Sequence, residues 1–95
     1  MRINLDIRLV PDLARLLGRD KIVFKFEGDT ISDMVNGLIS EYGVKVREAL
    51  YDTSGRFDGM IQIILNNEKW IRSDDLSTPL RDEDTVSLML LIGGG

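Results

Sequence analysis

The sequence contains no cysteine and no histidine. Without cysteine there is no disulfide framework, no thiolate nucleophile and no thiolate metal site. Without histidine the commonest general base and the commonest imidazole ligand are missing, so neither a Ser-His-Asp nor a Cys-His constellation can be assembled. A basic run is also lacking: twelve Lys and Arg against sixteen Asp and Glu leave a net charge of −4. Nucleic-acid binding needs clustered cations to neutralise phosphates, so no nucleic-acid partner is expected. The net acidity predicts instead a partner with a basic surface. The longest apolar run, Leu88-Met89-Leu90-Leu91-Ile92, falls far short of the ~20 residues that span a bilayer. Residues Met1 to Leu9 alternate polar and apolar, where a signal peptide would carry an unbroken apolar segment. These absences predict a soluble, cytoplasmic protein with no membrane partner.

What is present is ordinary globular material. Ninety-five residues, 43% of them hydrophobic, suit one domain with a single modest core and are too apolar for disorder. Ile3, Leu5, Ile7 and Leu9 share one parity, and Arg2, Asn4, Asp6 and Arg8 the other, which predicts a half-buried strand. Val10-Pro11-Asp12 interrupts it, and Leu13 to Leu17 can form a helical turn closed by Gly18. Lys21 to Glu27 alternates again, with Val23 the apolar exception on the outer face. The two strands read as an antiparallel pair.

The clearest helix follows Gly28-Asp29. Thr30 suits the N-cap and Asp33 completes a capping box. Ile31, Met34, Val35, Leu38 and Ile39 form one apolar stripe, and Gly43 is a sensible stop. A short helix can form around Val46, Ala49 and Leu50, before an exposed loop over Asp52 to Gly59. Met60 to Leu65 reads as a strand, Asn66-Asn67 as a hairpin turn, and Lys69 to Arg72 as the return strand. Ser73 to Leu80 is irregular, with room for one helical turn. Arg81 to Asp84 is a charged turn, and Thr85 to Leu91 the final strand, apolar on both faces at its end.

The order strand, strand, helix, strand, short strand, strand predicts an α+β fold. A mixed sheet of four to five strands carries one main helix on one face, with the first and last strands adjacent and parallel in the middle. That is the β-grasp, or ubiquitin-like, arrangement. The expected division is a β-grasp domain over 1–92 and a flexible glycine tail over 93–95.

With that order, the sequence resembles the ThiS/MoaD family of ubiquitin-like sulfur carriers over essentially its whole length. Gly28-Asp29-Thr30-Ile31-Ser32-Asp33-Met34 resembles the family's turn into the main helix. Ile63-Ile64-Leu65-Asn66-Asn67-Glu68 resembles its strand and turn, with Asn67 where Gly is usual. Leu80-Arg81-Asp82-Glu83-Asp84-Thr85-Val86 resembles its leucine, acidic turn and last strand, with Glu83 in place of a common Gly. Gly94-Gly95 matches the defining terminal pair. Gly93 makes the tail a triplet, and the Pro often found just before it is lacking. The length, including Val44 to Gly59, is closer to the MoaD branch than to the ThiS branch.

The resemblance implies a specific chemistry. An ATP-dependent adenylating enzyme of the ubiquitin-activating type would activate Gly95, sulfur would replace AMP, and the resulting thiocarboxylate would deliver sulfur to an acceptor such as a MoaE-like large subunit of a molybdopterin synthase. The chain itself would bind no cofactor, ATP being used by the activating enzyme, and would supply no catalytic group of its own. Gly93 and Gly94 would thread into the partner's active site, since glycine presents no side chain to a narrow channel. Such a tail buries little apolar surface, so Met89, Leu91 and Ile92 are the candidate partner interface; burial under a loop is the alternative for Met89 and Leu91. Other functions fit the same tail: a protein modifier conjugated through Gly95, a carrier for thiamine or another pathway, or a binding module with an inert end. Asp82-Glu83-Asp84 reads as a solvated turn and not as a metal site, and Trp70 as a partly buried packing residue.

Overall fold

The computed structural model describes residues 1–91. Alternation in the sequence becomes strand β1 (Arg2–Leu9), and Pro11 opens helix α1 (Pro11–Leu17). Proline suits that first helical position because its missing N–H would have no intrahelical partner there. Gly18 closes the helix in the left-handed region, φ 72°, and its N–H donates to the Ala14 carbonyl at 2.8 Å. Strand β2 (Lys21–Lys25), helix α2 (Ile31–Tyr42), helix α3 (Val44–Leu50), and strands β3 (Ile61–Leu65), β4 (Lys69–Ile71) and β5 (Thr85–Leu90) follow. The sheet order is β2-β1-β5-β3-β4. The β1–β5 pair is parallel and the other pairs are antiparallel. The β-grasp topology expected from the element order is present.

Cross-strand pairing divides the sheet cleanly. Ile3 faces Phe24, Leu5 faces Ile22 and Val86, Ile63 faces Leu88 and Ile71, and Ile61 faces Leu90. These residues line one side of the sheet and pack with Ile31, Met34, Val35 and Leu38 of α2 in a single buried cluster. Val46 and Leu50 of α3 join it. Burying each such aliphatic side chain contributes roughly 1.5–3 kcal/mol. Gly37 lets α2 approach closely: a Cβ there would lie 2.9 Å from Phe26 Cβ.

The capping box of α2 forms as expected. Thr30 Oγ1 accepts the Asp33 N–H at 3.1 Å, and Asp33 Oδ2 accepts the N–H groups of Thr30 at 3.2 Å and Asp29 at 3.0 Å. The Asp29 N–H above all, and then the Thr30 side chain, hold the Asp33 carboxyl below the usual aspartate range. Its folded value therefore lies below its unfolded value. The stabilisation is fully present above about pH 4, the ordinary aspartate range, and is lost as pH falls through the lowered folded value. Thr30→Ala is expected to cost about 1 kcal/mol in urea denaturation at neutral pH. Asp33→Asn should flatten the fall of Tm on acidification, measured by circular dichroism; an unchanged acid slope would remove Asp33 from that account.

Four expectations are corrected. Leu9 does not join the buried row: the β1–β5 register shifts between Asp6 and Leu9, leaving Leu9 49% exposed and Val10 buried in its place. Phe57 is buried inside the loop expected to be exposed, because it bridges to Tyr51 and sets its ring edge-on against it at 5.8 Å. Trp70 is 59% exposed, not a packing residue, because it shares the parity of Ile64 on the open side of edge strand β4. Ser73 to Leu80 contains turns and a Thr30–Pro79 bridge but no helical turn. The short helix expected around Val46, Ala49 and Leu50 does form as α3, with Val46 and Leu50 carrying its core contact.

Candidate functional site at the root of the tail

Strand β5 lies in the middle of the sheet, paired with β1 on one side and β3 on the other. The segment that leads to the glycines is thus held on both edges up to Met89, and on the β3 side to Leu90. Beyond it, the Leu91 N–H donates to the Met60 carbonyl at 2.7 Å, so the anchored chain extends to the last described residue.

The other end of β5 is fixed by a polar network grown from the two turns. Asn66 and Asn67 adopt left-handed conformations, φ 54° and 60°, as the two central residues of a primed turn require, and the Glu68 N–H closes that turn on the Leu65 carbonyl at 3.2 Å. Asn66 then works outward: its Nδ2 donates to Asp84 Oδ1 at 3.0 Å, and its Oδ1 accepts the Thr85 N–H at 2.8 Å. Asp84 Oδ2 accepts the Arg81 N–H at 2.8 Å, and Asp82 Oδ1 accepts the Arg2 N–H at 2.9 Å. Glu83 sits at φ 72°, a conformation that glycine adopts without strain. The acidic turn is therefore occupied in pinning β5 to β1 and to the β3–β4 hairpin. Among the described residues no cluster of carboxylates could hold a metal ion.

At the tail end the site is apolar. Met89 pairs with Leu9 and Gln62, so it lies on the sheet face opposite the helices and is half-buried there. Leu91 is 43% exposed and Met60 45% exposed. One row back along the sheet, Ile64 lies between Ser87 and Trp70 on the same open face. Met89 and Leu91 thus stand where the sequence reading placed them, and neither is covered by a loop that buries it. Ile92, Gly93, Gly94 and Gly95 lie outside the described residues. Four further members of the surface were missed: Leu9, Met60, Ile64 and Trp70. The parity of Trp70 with Ile64 across the Asn66-Asn67 turn could have found two of them. The exposure of Leu9 depends on a register shift that its own strand does not encode.

What this arrangement offers chemically is presentation. Perturbed carboxyls occur at Asp33 and Asp52, where hydrogen bonds lower them, chiefly from the Asp29 N–H in the first case and the Ser54 side chain in the second. The Tyr42 hydroxyl is pushed up by burial and by neighbouring Glu41. None of the three belongs to the surface around Met89 and Leu91.

No family model and no curated protein matches the chain. Solved structures do match. Small archaeal modifier protein 1 from Haloferax volcanii aligns over all of both chains, with TM-score 0.77 and 18% identity. CysO from Mycobacterium tuberculosis aligns over 95% of this chain and 99% of its own, with TM-score 0.75 and 23% identity. A candidate molybdopterin converting factor subunit 1 from Pyrococcus furiosus covers 97% and 99%, with TM-score 0.68 and 16% identity. At these identities the likeness establishes the fold alone: the chain has the β-grasp fold. The likeness to ThiS/MoaD-type carriers read from the sequence is matched at that level. Among the described residues no helix is long and apolar enough to cross a membrane.

Proposed function

We propose that the chain is a sulfur carrier. Its Gly95 carboxylate is adenylated by a ubiquitin-activating-type enzyme, AMP is displaced by sulfur, and the thiocarboxylate donates that sulfur to an acceptor. The single observation that carries this reading is structural and sequential at once. A Gly93-Gly94-Gly95 segment follows the central strand of a β-grasp sheet, and an exposed apolar surface surrounds the strand's last anchored residues. A carboxylate is a poor acyl donor until activated, and the described residues around it offer presentation without a base or a metal. Of the possible acceptors, we assign a MoaE-like large subunit of a molybdopterin synthase. The length of the Val44 to Gly59 segment and the fold shared with the candidate converting factor subunit support that choice.

Incubation with the activating enzyme, ATP and a sulfur source is expected to raise the intact mass by the difference between sulfur and oxygen, located to Gly95 by fragmentation. An unchanged mass with a verified enzyme overturns the carrier reading. A second reading has an observation of its own, since a chain of the same fold is named as a modifier protein. Conjugation through Gly95 to lysine side chains would give ladders on blots of cell lysate; free chain alone argues against it.

A further inference from the structure

Strand β2 is one edge of the sheet, and hydrogen-bond parity decides which of its backbone groups are free. Met1 and Phe26 exchange both backbone bonds at 3.0 Å, and the Ile7 N–H donates to the Asp20 carbonyl at 2.8 Å. Bonded and non-bonded pairs alternate along an antiparallel ladder. The bonded pairs between those two points are therefore Ile3 with Phe24 and Leu5 with Ile22. The N–H and C=O groups of Lys21, Val23 and Lys25 then point away from β1. Among the described residues no strand or turn takes them up, and no proline interrupts the strand.

The side chains along this edge are sorted by face. Lys21, Val23 and Lys25 alternate with the buried row and are all exposed, Val23 by 52%. Neither lysine makes an ion pair among the described residues. Their cross-strand neighbours are Asp6, which lies 4.0 Å from Arg8, and Arg2, which lies 3.6 Å from Glu83. On the helix side a groove runs between β2 and α2, with Phe24, Phe26 and the half-buried Gly37 in its lining. Glu27 and Glu41 line it too, so the helix side disfavours carboxylates where the lysine side favours them. The lysines also exclude a second copy of this chain. Antiparallel pairing of two β2 strands about Val23 would set Lys21 of one copy against Lys25 of the other, twice over. Like charges directly opposite are destabilising, and lysine commonly blunts an edge in this way. A strand with carboxylates at those two positions meets no such barrier.

We propose that β2 accepts an extended segment of a partner protein as a further strand of the sheet. The segment carries two carboxylates four residues apart, opposite Lys21 and Lys25, with an apolar residue between them opposite Val23. Its alternate positions hold small uncharged side chains, which face the groove beside Gly37. Backbone bonds to Lys21, Val23 and Lys25 give affinity, and the alternating side chains give specificity, as strand addition does generally. The whole of β1 separates this edge from β5. Docking here therefore leaves Met89, Leu91 and the tail free, and the inference does not rest on the proposed function.

The probe is an acetylated, amidated peptide containing Glu-Ala-Val-Ala-Glu, titrated into the isotope-labelled full chain and followed by amide resonances. Those of Lys21, Val23 and Lys25 are expected to shift together and their hydrogen exchange to slow. Lys69 to Ile71, on the opposite edge, should not respond. A peptide with Lys in place of both Glu should bind about tenfold more weakly, because two cross-strand pairs turn from attraction to repulsion. Lys21→Glu with Lys25→Glu should reverse the order of the two peptides. Val23→Pro removes the central outward N–H at a position where an edge strand tolerates proline. It should abolish binding, with the fold of both variants checked by circular dichroism. Silence at the three amides, shifts centred on Trp70 instead, or equal binding of the two peptides overturns the inference. So does a charge-reversed chain that still prefers the Glu peptide.

Discussion

Deletion of Gly94 and Gly95 is expected to abolish thiocarboxylate formation while leaving the urea midpoint unchanged. Every member of the described core lies at or before Leu90, so its packing is expected to be unchanged. The proposed reaction loses its carboxylate position altogether. Gly94→Val separates reach from shape, because it keeps Gly95 and its carboxylate but adds a branched side chain where a channel must close around the tail. A displacement of about 1 Å at a reacting centre costs on the order of 100-fold in rate, and that is the loss expected in single-turnover measurements. Trp70→Ala should behave differently. It trims the exposed apolar face of the sheet and leaves the tail intact, so on the proposed function KM is expected to rise while the single-turnover rate at saturation holds. If Gly94→Val reacts at the unmodified rate, the tail does not enter a narrow channel and the threading account fails.

The parts of the fold legible in the sequence are those set by near neighbours. Parity in β1 exposed its buried residues through Ile7 because the side-chain period is two. The stripe of α2 and its capping box were legible because helix geometry places residues three and four apart together. Asn66-Asn67 announced a turn because asparagine tolerates positive φ. Each miss has a distant cause. Leu9 turns outward because parallel pairing with β5, nearly eighty residues later in the sequence, slips after Asp6. Phe57 is buried by Tyr51 and the core beneath it, inside a stretch whose polar composition reads as loop. The candidate site divides the same way. Met89 and Leu91 follow from the parity of one strand. The full surface needs Leu9, Ile64 and Trp70 from three other strands, and only the sheet order brings them together.

The largest expected effect on stability comes from a residue that helix propensity would remove. Glycine inside a helix costs about 1 kcal/mol relative to alanine, so Gly37 in the middle of α2 looks like a simple target for improvement. Its surroundings reverse that expectation. A Cβ would stand 2.9 Å from Phe26 Cβ and 3.4 Å from the Phe24 ring. Phe24 is itself held in place, buried and stacked at 5.8 Å on Phe26. Phe26 Cβ is tied to its backbone, whose N–H donates to the Met1 carbonyl at 3.0 Å, so relief requires α2 to move away from β2. That motion would separate Met34 and Leu38 from the sheet. Gly37→Ala is therefore expected to come out near neutral or mildly destabilising, the propensity gain offset by crowding. Gly37→Leu should cost about 3 kcal/mol, the upper part of the range for overpacked cores. Asn36→Leu, one residue earlier and exposed, should cost almost nothing. Urea denaturation distinguishes these outcomes, with the midpoint of Gly37→Leu falling at unchanged slope. A Gly37→Leu chain as stable as the unmodified protein would mean that α2 does not rest on β2 at glycine distance.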